Sequence, residues 1–191
     1  VTTNYSIATG NTTTADITAK ALTIGGITAS NKTYDGNTTA TISVASATFT
    51  GLVEGDSVTV SATGVFDNKN VGTGKTVTLT ETNAGDDVNN YSITAQGTTT
   101  ANVTAKALTY TVSASDKTYD GGTSATATLS LSGFIGSETV TVSANAATFS
   151  DKNVGTDKTV TVNSITLADG DNGGVTTNYS IATGNTTTAD I

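Results

Sequence analysis

Residues 1–17, VTTNYSIATGNTTTADI, recur letter for letter at 175–191. A diverged copy lies between them, where NNYSITAQGTTTANVTAKALTY at 89–110 matches TNYSIATGNTTTADITAKALTI at 3–24. Two further blocks repeat in step: ASNKTYDGNTTAT at 29–41 with ASDKTYDGGTSAT at 114–126, and NKNVGTGKTVT at 68–78 with DKNVGTDKTVT at 151–161. Tyr5, Tyr91 and Tyr179 therefore stand 86 and 88 residues apart. A fixed period of this size means one supersecondary unit used repeatedly. The chain divides into residues 1–18, the closing hairpin of a preceding repeat, then repeat one at 19–104 and repeat two at 105–191. Val1 opens the sequence with no basic-then-apolar leader, which reads as a piece of a longer chain.

Within each unit the apolar period is two. Lys75–Thr82 places Val77 and Leu79 on one face and threonines on the other, and Ser57–Ser61, Thr139–Ser143, Thr159–Val162 and Ala101–Thr104 alternate likewise. That is the pattern of a half-buried antiparallel strand. By count 46 residues are Thr, whose branched Cβ suits a pleated surface better than a helix. Gly and Asp clusters such as Asp35-Gly36, Gly85-Asp86, Asp120-Gly121 and Asp169-Gly170 punctuate the strands. The expected fold is all-β: small antiparallel β-sandwich domains, or β-grasp-like ones, arranged end to end as a rod. The expected core of unit one is Tyr34, Phe49, Leu52, Val58, Val60, Phe66, Val77, Leu79, Tyr91 and Ile93, with equivalents in unit two. No Gly- or Ser-rich spacer interrupts Ala101–Tyr110, so one unit runs almost directly into the next. The units differ at Gly25-Gly26, at Gly64-Val65 against Asn145–Ala147, and at Glu81–Val88 against Ser164–Gly174, which reads as loops or strand ends.

Composition excludes several functions. The chain has no Cys and no His, which removes the common transition-metal ligand sets and the His-based catalytic triads. All eight cations are Lys against 16 acidic residues, so a nucleic-acid partner is excluded by the sign of the field. No apolar run approaches the ~20 residues of a membrane-spanning helix, so no membrane insertion is expected. The only Glu residues are Glu54, Glu81 and Glu138. Glu54 and Glu138 occupy near-equivalent turns, and neither pairs with a second carboxylate across a pocket, so no enzyme is expected.

The KTYDG blocks at 29–41 and 114–126 resemble the YDG-domain repeats of large secreted bacterial adhesins, of the filamentous-haemagglutinin and biofilm-matrix type. The Ala-Lys-Ala-Leu-Thr segments that open each unit are similar to those arrays too, and the resemblance covers essentially the whole chain. It implies a non-catalytic stalk of an extracellular, cell-surface protein. Its partners would be neighbouring repeats of the same chain, or identical chains in a filament continued by strand addition. A carbohydrate-binding module is a third reading, one that needs an exposed aromatic platform.

Tyr34-Asp35-Gly36 and Tyr119-Asp120-Gly121 read as structural turns, with a buried ring, a capping Asp and a Gly at positive φ. Asp169, Asp171 and Asn172, with Asp86 and Asp87 in the same loop of unit one, are the candidate ligands for calcium, which takes about six to eight oxygens. No other cofactor is expected. Surface-adhesin domains can carry Lys–Asn isopeptide cross-links, but Lys69-Asn70 and Lys152-Asn153 are neighbours in sequence, the wrong geometry for bonding to each other.

Overall fold

A computed structural model describes residues 10, 12–182 and 184–191 of the chain. The expected closing hairpin at 1–18 falls mostly outside the described residues, and residues 12–19 carry no strand. Unit one comprises β1 (Lys20–Gly25), β2 (Thr28–Ala29), β3 (Lys32–Thr33), β4 (Thr39–Ala40), β5 (Ile42–Ser43), β6 (Thr48–Thr50), β7 (Thr59–Phe66), β8 (Gly72–Ala84), β9 (Tyr91–Thr94) and β10 (Thr98–Thr104). Unit two comprises β11 (Lys106–Ala114), β12 (Ser124–Ala125), β13 (Ala127–Ser132), β14 (Val140–Phe149), β15 (Lys158–Asp169), β16 (Tyr179–Ile181) and β17 (Thr186–Ala189).

Each unit is built on two sheets. In unit one these are β6-β1-β9 and β3-β10-β8-β7-β4, with β2-β5 as a short extra ribbon. In unit two they are β13-β11-β16 and β12-β14-β15-β17. The long β7–β8 and β14–β15 pairs form the second sheet's centre, and alternation decides which face is core. Val77 and Leu79 are buried between exposed Thr76, Thr78 and Thr80, and Val160 and Val162 are fully buried in β15.

Three features depart from the sequence reading. The sheets are mixed rather than purely antiparallel: β1 runs parallel to β9, β11 to β16 and β10 to β3. The chain reaches β9 from β8, in the opposite sheet, through the 3-10 turn Val88–Asn90, so no tight hairpin imposes the antiparallel sense. Of the divergent segments, Gly64-Val65 lies at the end of β7 as expected, but Asn145–Ala147 lies inside β14 rather than in a loop or at a strand end. Unit two absorbs its difference as a β-bulge, where the β14–β15 register shifts at Ala144/Ala146 and Ala146/Ala147. The expected core equivalence also breaks at one position: Tyr34 is 1% exposed, but its counterpart Tyr119 is 54% exposed.

The cause of that last difference lies in the core itself. Ile24, Ile27, Tyr34, Phe66, Val77, Leu79 and Val103 of unit one share one apolar cluster with Leu108, Val140 and Tyr179 of unit two. Only Ala105 separates β10 from β11, so the backbone passes between units without a linker. Unit two's remaining core is a separate cluster around Phe149, Val160 and Val162, and unit one has its own at Leu22, Val58 and Tyr91.

Candidate functional site

Among the described residues, the most concentrated buried polar chemistry lies where the two units meet. Glu138, in the turn before β14, is 7% exposed. Its carboxylate collects three donors. Tyr34 Oη reaches both oxygens, at 2.8 and 2.9 Å, Tyr179 Oη donates to Oε2 at 2.7 Å, and Lys69 Nζ donates to Oε1 at 2.5 Å. Tyr34 and Lys69 belong to unit one, Tyr179 and Glu138 to unit two. Tyr179 Oη in turn accepts from the Ile135 N–H at 3.2 Å. The Tyr179 ring stands edge-on to both Tyr34 and Phe134, with centroids 5.6 Å apart in each pair. That arrangement suits the ring quadrupoles.

A second bridge lies beside the first. Asn178 is fully buried; its side-chain oxygen accepts from the Val71 N–H at 2.9 Å and its amide donates to Asn70 Oδ1 at 3.0 Å. A buried carboxylate or amide is tolerable only when it is hydrogen-bonded, and here the neighbouring unit supplies Tyr34 and Lys69 to Glu138, and the Val71 N–H and Asn70 to Asn178. The KTYDG turn supplies a close contact. Asp35 Oδ1 takes the Asn37 N–H and the Lys32 ammonium, and Gly36 turns at φ +79°. A Cβ built on Gly36 would lie 2.7 Å from Ile135 Cγ2, so glycine is required there both by conformation and by the packed neighbour.

Electrostatics follows the geometry. Burial pushes the Glu138 carboxyl up, but its bonds from Lys69, Tyr179 and Tyr34 outweigh burial and hold it below the usual glutamate value. The bond to Glu138 raises Lys69 above its ordinary value. Burial first, and the adjacent carboxylate as well, raise both Tyr34 and Tyr179, so both phenols stay protonated donors.

The predicted calcium ligands sit elsewhere and act on backbone. Asp87 Oδ2 accepts from the Ser57 N–H at 2.8 Å, and Asp169 Oδ1 from the Thr176 N–H at 2.7 Å, a bond that keeps Asp169 below its ordinary value. Asn172 turns at φ +57° and its amide donates to the Ser137 carbonyl; Asp171 and Asp86 are exposed. Among the described residues no group of three or more acidic side chains converges as a metal site would require. Nor is any helix of the described residues long and apolar enough to cross a membrane.

Sequence reasoning did not single out Glu138, Asn178 or Lys69 as a set. One signal was present. Asp56-Ser57-Val58 and Glu138-Thr139-Val140 both place an acid two residues before the first valine of a Val-Thr-Val run, so the true counterpart of Glu138 is Asp56, not Glu54. Asp56 accepts from Tyr91 Oη at 2.5 Å, and Tyr91 Oη accepts from the Val53 N–H at 2.9 Å, the same relay as Glu138, Tyr179 and Ile135.

Fold and site together define a tandem all-β repeat protein whose units interlock through a buried polar cluster. A model of the YDG domain matches residues 18–101 and again residues 104–189, so the chain belongs to the YDG domain family. No curated protein and no solved structure matches it.

Proposed function

We propose that this chain is a non-catalytic spacer, a segment of the stalk of a secreted bacterial surface adhesin or biofilm-matrix protein, in which tandem units form a stiff rod. The observation that carries this reading is the joint. A single residue, Ala105, connects β10 to β11, and the carboxylate of one unit is buried against a tyrosine and a lysine of the other. A rod transmits position over distance only if its joints resist bending, and a shared core with satisfied polar groups does so where a coil linker would not. The outer faces of the strands, rich in Thr, and the net charge of −8 favour solubility and oppose collapse between neighbouring chains.

Small-angle scattering tests the reading. A compact globule of this length has a radius of gyration of about 16 Å, whereas two units of ~87 residues placed end to end exceed ~20 Å. A value at the compact limit, or a flexible-chain profile, overturns the rod. The second reading, a section of a self-assembling extracellular filament, is favoured by one observation: unit two leaves Tyr119 exposed where unit one buries Tyr34 against its neighbour.

A further inference from the structure

The joint uses one face of each unit and leaves its counterparts open. On unit two, Tyr119, Lys152 and Val154 occupy the positions that Tyr34, Lys69 and Val71 occupy on unit one. All three are exposed, Val154 by 73%. Their half of the joint is nevertheless already built. Gly121 turns at φ +79° as Gly36 does, and Lys117 pairs with Asp120 at 2.8 Å as Lys32 pairs with Asp35 at 2.7 Å. Space above the turn is open: a Cβ on Gly121 meets nothing within 4 Å.

The opposite end of unit one carries the other half. Leu22, Val58 and Tyr91 form a small cluster of their own, the positional equivalents of Leu108, Val140 and Tyr179 in the shared core. Asp56 stands where Glu138 stands, with its tyrosine already in place. Asn90, the equivalent of buried Asn178, is exposed, and Val53, the equivalent of Ile135, is 43% exposed. Neither Asp56 nor Lys152 has an ion-pair partner among the described residues.

We propose that these two faces are the halves of one further joint, and that the occupant of the Tyr119 face is the Asp56 face of a second copy of this chain. Tyr119 and Lys152 close on Asp56 as Tyr34 and Lys69 close on Glu138, and Val53 seats against Gly121. The inference rests on reading the internal joint as a structural connection. Asp for Glu and Val for Ile each shorten the receiving face by one methylene, so the second joint is drawn closer. Glu54, on the same turn, adds negative charge facing Lys152. The contact joins two different patches and is not closed by a two-fold axis, so it propagates as an open, head-to-tail line. It is made by side chains of the sheet ends, and needs no added strand. Within a longer array a covalent neighbour would fill the same face, as unit two fills that of unit one.

The chain has no cysteine, so disulfide trapping reads contacts without background. A Cβ on Gly36 lies 3.8 Å from Ile135 Cβ, matching the ~3.8 Å typical of disulfides. The Gly36→Cys/Ile135→Cys chain should therefore oxidise to an intrachain bond. The Gly121→Cys/Val53→Cys chain should oxidise to a ladder of dimers, trimers and longer species. The ladder should form at least tenfold faster than with Val53→Cys/Thr63→Cys, whose second cysteine lies on an exposed mid-sheet position, and Lys152→Glu should slow it tenfold or more. A ladder no faster than that control, one indifferent to Lys152→Glu, or a cyclised monomer overturns the inference. If the internal pair forms and the external one does not, the spacer reading survives and the head-to-tail joint is rejected. If the internal pair also fails, the joint itself is wrong. Sedimentation of the unmodified chain up to about millimolar concentration tests the same contact without cysteines. Mass rising with concentration, and suppressed by Lys152→Glu, supports the joint; a constant monomer mass rejects it.

Discussion

Replacing Glu138 by alanine removes the acceptor that three side chains share, and the cost can be worked from its surroundings. The change leaves Tyr34 Oη and Tyr179 Oη facing an apolar gap, and Lys69 without its counter-ion. Hydrogen bonds to a charged group contribute about 1.5–3 kcal/mol each, but bonds sharing one acceptor do not add. Breaking a buried ion pair from one side costs about 3–5 kcal/mol. The Lys69 side chain keeps 36% of its surface in solvent and is rehydrated when released, which places the net cost near the lower limit, about 3 kcal/mol. Asp56→Ala is the internal reference. It removes the same relay from the open face, where among the described residues Tyr91 is the one side chain bonded to the carboxylate, and should cost about 1.5 kcal/mol. The assay is urea unfolding of the whole two-unit chain, followed by intrinsic tyrosine fluorescence and far-ultraviolet circular dichroism. In the unmodified chain the shared core couples the units, and one transition is expected. In Glu138→Ala the coupling term falls, and the two probes should separate into two steps, as nearest-neighbour repeat energetics requires. Equal losses for Glu138→Ala and Asp56→Ala, or an unchanged single transition in the former, would refute the argument that the carboxylate holds the units together.

Three further outcomes are expected. Gly36→Ala and Gly121→Ala carry the same positive-φ penalty of about 1 kcal/mol, but only the former strikes Ile135, so it should lose about 1–3 kcal/mol more; equal midpoints in urea would remove the contact from the account. Glu138 titrates below its unfolded value of about 4.3, so its stabilisation is complete above that pH and is lost as pH falls through the depressed value. Lys69 titrates above its unfolded value of about 10.4, so its share is present below that pH and is lost as pH rises through the raised one. Urea midpoints taken from pH 7 down to 3 should show a steeper acid loss for the unmodified chain than for Glu138→Gln. Calcium at ten times the dissociation constant of a native-state site would add about 1.4 kcal/mol, several degrees of melting temperature. The backbone-capping roles of Asp87 and Asp169 lead us to expect no such shift, and calorimetry with calcium and with a chelator checks it.

Val77 and Leu79 could be placed from sequence because a period of two needs only neighbouring residues to be read, and they pack as that period demands. The connection without a spacer between the units was legible for the same reason, since composition changes locally at a linker. Parallel pairing of β1 with β9 was not legible, because the partner lies some seventy residues away and no turn links the two. Tyr119 shows a different limit. Its motif matches that of Tyr34, yet burial belongs to whatever lies opposite, and the five letters KTYDG say nothing of that. Glu138 was hidden for both reasons at once. An acid beside a turn reads as solvated, and Tyr34, its hydroxyl partner in unit one, is 104 positions away.

The like-for-like placement of Asp56 with Glu138, and of Tyr119 with Tyr34, has a genetic consequence. Both sets of joint residues recur in each of the two units, so a crossover between two copies would delete or insert a whole number of modules and keep the same residues on either side of the seam. Stretches as alike as 1–17 and 175–191 are where such exchanges register most readily. Length then becomes a trait that can drift by integers, without any module having to be reinvented.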